Sequence, residues 1–454
     1  MSKVENIYSA VMKRDLEAER ALPEQVRTRV ARNGLRQVSA SALQSSGDHT
    51  VNASTVLPWL FHVLGVPGAL AGLLVPIRES GSMLPQALLT PLILRVRQRK
   101  WVYVVGALVQ ASAVAVMAGT AALGHGLVAG VVILVASAVF SLGRCLCSIT
   151  SKDVQGRTVP KGERGQINGL ATIVSGLVAI TLGLGIRYFG GDDLDAGRLA
   201  WLLAVGAALW VAVAAVYVGV REPVPDREWS TGEPDPGTER EEKVGRGGEE
   251  RNWFVQTFAL LRDDRDFRHF VSVRSFLLVS ALSPPFVVTL SIQSGAEGLA
   301  GLGGYVIASG LAALLGGRVF GPWADRSSKK LMATGAGIAS FVIFALVLIV
   351  ALPGFSGATL WGSSIFTAAY FCLTLMHTGV RVGRKTYVVD MAEGDRRTTY
   401  VAVSNSAMGF VLLVVGGISS LLAVLGIVWA LLFLAVLGLV GVAASVRLPE
   451  VSRG

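Results

Sequence analysis

WVYVVGALVQASAVAVMAGTAALGHGLVAGVVILVASAVFSLG, residues 101–143, contains no Asp, Glu, Lys or Arg. A helix rises 1.5 Å per residue, so about 20 apolar residues cross the roughly 30 Å of bilayer hydrocarbon. The stretch is long enough for two such helices and a turn between them. Residues 331–380 and 398–446 are equally free of these charges. The apolar runs are continuous and lack the alternation of a barrel strand, which leaves helices as the spanning element.

The rest of the 454-residue chain agrees. Hydrophobic residues make up 52% and charged residues 16%, whereas soluble domains carry about 25% charged residues. A water-soluble multidomain enzyme is excluded on that ground. Twelve spans are expected, at 36–62, 68–94, 101–120, 126–148, 165–187, 198–219, 269–292, 299–320, 331–352, 358–379, 399–422 and 424–446. The sixth and seventh are separated by REPVPDREWSTGEPDPGTEREEKVGRGGEERN, residues 221–252, which is rich in Glu, Pro and Gly and poor in large apolar residues. Such a composition cannot bury enough apolar surface to order itself. The expected plan is an N-terminal segment 1–35, a six-helix bundle 36–220, a largely disordered linker 221–267, a second six-helix bundle 268–447 and a tail 448–454. The opening residues have no apolar run and do not read as a cleavable signal peptide.

Basic residues give the orientation, because loops on the cytoplasmic side hold an excess of Lys and Arg. Residues 1–36 carry eight and residues 221–268 carry nine. Clusters at 95–100, 152–164, 326–330 and 384–397 fall on the same side, while Arg187 and Arg198 fall on the other. Both termini and the linker are therefore expected in the cytoplasm, with the chain in the cell inner (plasma) membrane. The net charge of +10 is dispersed in these loop clusters and does not form a nucleic-acid surface. Cys145, Cys147 and Cys372 lie in apolar segments, without the paired spacing of a zinc site. They read as small buried hydrophobes, and no metal or cofactor is expected.

The two halves echo each other. Arg144, Asp153 and Asn168 recur as Arg381, Asp390 and Asn405, all at an offset of 237 residues. A second echo sets TPLILRVRQRK, residues 90–100, against GPWADRSSKK, residues 321–330, pairing Pro91 with Pro322 and Arg95 with Arg326. Chance rarely produces both at corresponding ends of corresponding spans.

GPWADRSSKKL resembles the G-x-L-A-D-R-x-G-R-K loop of the major facilitator superfamily, with Ser328 where that family has Gly. In the first-half counterpart Thr90 stands for the Gly and Leu94 for the Asp. Arg144 and ERGQINGL, residues 163–170, also resemble family segments. The resemblance covers roughly residues 36–450. It implies a secondary carrier in which two bundles rock about a site near the midplane, and it says little about cargo. It also implies a gating role for Asp325 and Arg326 at the cytoplasmic face. For Arg144 with Asp153, and Arg381 with Asp390, structural pairing at the inner membrane face stands beside gating.

Charges inside the spans are costly and are functional candidates by default. Asp48 lies near mid-depth in SALQSSGDHTVN, residues 41–52, with His49 beside it. Arg78 and Glu79 lie at similar depth in IRESGSMLPQ, residues 77–86. Asp48 or Glu79 can exchange a proton, and Arg78 can meet an anionic substrate or neutralise a carboxylate. The bland alternative is a static ion-pair network. Arg78 is expected within reach of Asp48 if the first two spans adjoin. Neighbours on a helix point about 100° apart, so Asp48 and His49 are not expected to share a direction, nor Arg78 and Glu79. Pro58 and Pro284–Pro285 are expected to interrupt the first and seventh spans.

No G-x-x-x-x-G-K-[ST] nucleotide loop is present, which excludes an ATP-driven pump of that type, and no clustered nucleophile marks an enzyme. The expectation is a monomeric carrier in the lipid bilayer that moves a small solute, with H+ as coupling ion. A drug or metabolite exporter is the second reading. A sensor of the same fold that moves nothing is the third.

Overall fold

A computed structural model describes residues 24–86, 96–160, 164–190, 195–222, 262–296, 301–391 and 396–451, with a few single residues among 5–20 and 87–95. The linker expected at 221–267 lies almost entirely outside them. Among the described residues the regular structure is helical. The first half holds α1 (Val30–Thr50), α2 (Val56–Val63), α3 (Ala71–Met83), α4 (Arg99–Leu123), α5 (Gly126–Thr158), α6 (Arg164–Gly185) and α7 (Ala196–Val218). The second half holds α8 (Arg265–Phe276), α9 (Val279–Gln293), α10 (Leu302–Val350), α11 (Leu360–Met391), α12 (Arg396–Leu425) and α13 (Ile427–Ser445). Eight helical stretches among them are long and apolar enough to cross a membrane.

Local chemistry sets the ends. Asp195 caps α7 by accepting from the Arg198 backbone N–H at 2.8 Å, and Asp264 caps α8 by accepting from that of Phe267 at 2.9 Å. These contacts satisfy donors that a helix start leaves unpaired. Gly426, at φ +145°, turns the chain between α12 and α13 in a conformation other residues avoid.

Several boundaries differ from the expected ones for physical reasons. The first span breaks over residues 51–55, before Pro58, which sits in the first turn of α2 where its missing N–H costs nothing. The seventh span breaks at Leu277–Leu278, and Pro284–Pro285 lie inside α9. The stretch 321–330, expected as a loop, is helical throughout α10 except at Ser327, whose φ of −163° and ψ of 94° mark a kink. α5 runs ten residues past its expected end because nothing breaks it until Pro160, whose ring pushes Val159 out of the helical region.

Each half packs closely on itself. α4 lies against α5 and α7, α1 against α6 and α7, and α10 against α11 and α13. A Cβ on Gly143 would stand 2.6 Å from the Gly106 carbonyl oxygen, so α4 and α5 touch backbone to backbone there. The halves meet along two seams, α3 with α12 and α6 with α10. Gly72 abuts Phe286 and Ser420, and Gly416 abuts Pro76. On the other seam, a Cβ on Gly183 would stand 2.8 Å from the Gly303 carbonyl oxygen. The chain directions place these contacts toward one end of the bundle. The opposite, basic end carries the start of α1, the end of α13 and the Lys and Arg clusters.

Candidate functional site

The α1 residues Ser45, Asp48 and His49 recur at the 3-4 spacing that keeps side chains on one helical face, and with Asn52 just past the helix end they line a cavity of about 310 Å³ between the halves. Gly47 lets Trp210 of α7 approach the back of that turn, where a Cβ would stand 2.7 Å from the indole nitrogen. Arg78 and Glu79 of α3 and Arg144 of α5 also line the cavity. In each pair, Asp48 with His49 and Arg78 with Glu79, neighbours about 100° apart on the helix both border the cavity.

Asp48 is held from two sides. Arg78 Nη2 donates to Asp48 Oδ1 at 2.7 Å. Arg144 Nη1 donates to Oδ1 at 2.6 Å and to Oδ2 at 2.7 Å. Arg78 Nη1 also donates to the Val51 carbonyl at the end of α1, where the helix dipole favours a cation. Its guanidinium lies 5.0 Å from the centre of the Phe140 ring, which meets Trp210 edge-on at 5.6 Å. One carboxylate thus joins α1, α3 and α5 with two cations on it. Glu79 forms no ion pair among the described residues.

The structure corrects the placement of Arg144. It lies well inside the lengthened α5, nine residues or about 13 Å along the helix from Asp153, and its partner is Asp48. Asp153 instead pairs with Arg99 and, at 3.0 Å, with Arg157. Arg157 reaches Glu222 at 3.5 Å, and Glu222 accepts the Lys100 backbone N–H at 3.1 Å. Burial pushes the Glu222 carboxyl above its ordinary range against the pull of these cations. Arg381 likewise sits within the lengthened α11 and lines the cavity. The side chains of Asp325 and Asp390 lie outside the described residues, and Arg326 is exposed beside the Ser327 kink.

α11 carries a polar stripe that the expected spans did not mark as part of the site. Tyr370, Thr374, His377, Arg381 and Arg384 all line the cavity at spacings of 4, 3, 4 and 3 residues. That periodicity was the available signal, masked because His377 and the arginines sit where a span was expected to end. α9 adds Ser280, Ala281 and Pro284. Pro284 and Pro285 have no N–H for the carbonyls of Ser280 and Ala281, which leaves polar backbone without its helical donors at cavity positions. Among the described residues no cluster of His, Cys, Asp or Glu could hold a metal.

A sequence model described as the Major Facilitator Superfamily matches residues 39–373. No curated protein matches the chain by sequence. Among solved structures, a D-xylose–proton symporter is similar with a TM-score of 0.69 at 12% identity, covering 92% of this chain and 98% of that one. A variant of the nucleoside transporter NupG gives 0.65 at 13% identity, covering 92% and 100%. The xylose transporter XylE from E. coli, in an inward-open conformation, gives 0.63 at 11% identity, covering 92% and 96%.

Proposed function

The chain belongs to the major facilitator superfamily, and from that premise we propose that it is a proton-coupled carrier of a small polar or charged solute. Its fold is that of a membrane transporter and not of an enzyme. In our reading the chain crosses the cell inner membrane twelve times as a monomer, in two six-helix halves, 36–220 and 268–447. The basic end is cytoplasmic by the excess of Lys and Arg in its loops. The glycine seams then close the outer side, and the cavity serves the cytoplasm.

The observation that carries this reading is Asp48 clasped by Arg78 and Arg144 on the cavity wall. An ionised Asp48 ties the three helices together. A proton on Asp48 removes the charge that both arginines answer, frees them toward the cavity and loosens α1 from α3 and α5. Proton binding and solute binding are thereby linked, and each biases the state that favours the other. Glu79, without an ion pair among the described residues, is the second acid available for the same task, and His49 lines the same cavity. Asp153, together with Arg99, Arg157 and Glu222, forms the latch at the basic end of the first half. Asp325, Arg326, Arg381 and Asp390 are the corresponding gating residues of the second. The polar walls favour this cargo over a purely apolar drug.

The test is flux. Purified protein in liposomes enclosing a pH-sensitive dye is given a metabolite and antibiotic panel chosen by thermal stabilisation, since ligands that bind the folded state raise its stability. The expected result is solute entry accompanied by a dye response that vanishes in Asp48→Asn. Solute entry without any proton movement would remove the coupling, and no entry for any stabilising compound would remove the carrier.

A further inference from the structure

The cavity is not electrically balanced. Arg78, Arg144, Arg381 and Arg384 line it against the two carboxylates Asp48 and Glu79, a surplus of two positive charges. The surplus is uneven, because Asp48 sits with Arg78 and Arg144 in the first half. On the α11 side, neither Arg381 nor Arg384 has a carboxylate within 4 Å among the described residues.

Behind Arg384 a smaller void is lined by Arg274, His377, Val380 and Arg384, the two arginines coming from α8 and α11 respectively. Arg274 is 5% exposed. It donates to Ser404 Oγ and, at 3.2 Å, to Asn405 Oδ1, both neutral. Its Nε has no hydrogen-bond partner, and neither has His377 Nδ1. A buried guanidinium with neutral partners and an idle donor carries a desolvation cost that only an anion offsets well. His377, Arg381 and Arg384 follow at 4 and 3 residues, so α11 presents them on one face.

We propose that this face of α11, backed by Arg274, is the seat of an oxyanion group on the transported solute, a carboxylate or a phosphoryl. This rests on the carrier reading above and names its substrate class. The planar forks of Arg381 and Arg384 suit two oxygens of such a group, and the imidazole of His377 supplies a further polar contact. The Asp48 clasp in the opposite wall is left for the rest of the solute and for the coupling step.

The test uses the purified full-length protein in detergent. Its thermal unfolding is followed with sodium malonate, glycerol 3-phosphate and potassium phosphate. Sodium chloride at matched ionic strength is the salt control, and glycerol and choline are the neutral and cationic controls. At least one oxyanion should raise Tm where chloride, glycerol and choline do not, and malonate against the two phosphates tells carboxylate from phosphoryl. Arg384→Gln and Arg381→Gln should weaken that response about tenfold or more, and Arg384→Lys should keep part of it.

Without ligand, Arg384→Gln should melt at or above the parent temperature, since it removes an unpaired cation. A structural arginine would give the opposite sign. The proposal is overturned if no oxyanion stabilises the protein, or if Arg384→Gln lowers Tm and responds to oxyanions like the parent. Stabilisation by phosphatidylglycerol nanodiscs alone would likewise overturn it, assigning the charge to a lipid headgroup. Failure of the carrier reading looks different: oxyanions would bind at α11 yet none would cross a liposome membrane. Flux of a neutral solute, unaffected by Arg384→Gln, would sink the oxyanion seat and leave the carrier.

Discussion

Asp48 shows how far a single position can be read. Its depth, and an arginine of similar depth on the next span, were both legible, because 1.5 Å per residue converts sequence offset into height. Arg144 as the second partner was not, since the expected end of α5 placed it near the surface and only the continuation of the helix to Thr158 puts it mid-depth. Replacing Asp48 by Asn keeps an acceptor for Arg144 but leaves two cations unanswered. We expect Asp48→Asn to abolish gradient-driven accumulation while sparing counterflow, which needs no net proton movement. Normal accumulation under a proton gradient would make Asp48 structural and move the coupling role to Glu79. A second test concerns Glu222. Burial raises its folded pKa above the ordinary value of 4.5, so its contribution is fully present below pH 4.5 and is lost as pH rises through the folded value. Glu222→Gln, which can still accept from Lys100, should flatten that decline in a Tm series run upward from pH 4.5. A decline of unchanged steepness would place its origin elsewhere.

At the level of helices, sequence spacing located most apolar segments but missed what happens between them. The spans expected at 36–62 and 68–94 take the form of the shorter α1, α2 and α3, and polar residues of α1 and α3 line the cavity. Ser327 alone interrupts an otherwise continuous α10, which no propensity marks. The seams depend on residues without side chains, and a lone glycine in an apolar run gives no hint of its neighbour. Gly416 makes the point testable. In a free helix, Gly→Ala gains about 1 kcal/mol, but at Gly416 the new methyl would overlap Pro76 of α3. Overpacking of this kind costs about 1–3 kcal/mol. Gly416→Ala should therefore shift the protein away from the observed state. Spin labels at Leu123 and Leu425, both exposed at the seam end, should report a longer separation. An unchanged distance distribution would mean the seam yields locally without opening.

Across the whole molecule, the repeat seen in sequence has a structural counterpart. Arg144 and Arg381, 237 residues apart, border the same cavity from α5 and α11. Lys100 donates to the carbonyls of Val218 and Val220 at the end of α7, at 3.2 and 3.0 Å. Lys329 does the same for Val446 and Leu448 at the end of α13, at 2.9 and 2.6 Å. Each half thus closes its last helix with a lysine, which suits the negative end of the helix dipole. The family was legible from the loop at 321–330, whereas the cargo was not, because charge balance in a cavity emerges only when distant segments meet. Neutralising Asp325 to Asn should slow turnover more than it weakens ligand binding, since a gate alters interconversion and not the site. Equal transport rates in mutant and parent would reduce Asp325 to an orientation signal.

The unbalanced arginines carry a further consequence, in electrical terms. A bilayer held at 100 mV assigns about 2.3 kcal/mol to each elementary charge that crosses it. A cavity with two surplus positive charges does not change its access from one face to the other in silence, because the field acts on those charges as the halves rock. The empty carrier is then the voltage-sensitive species, and a bound dianion makes it electrically quiet. Current recorded from protein on a solid-supported membrane should show a charge displacement that shrinks as such an anion is added.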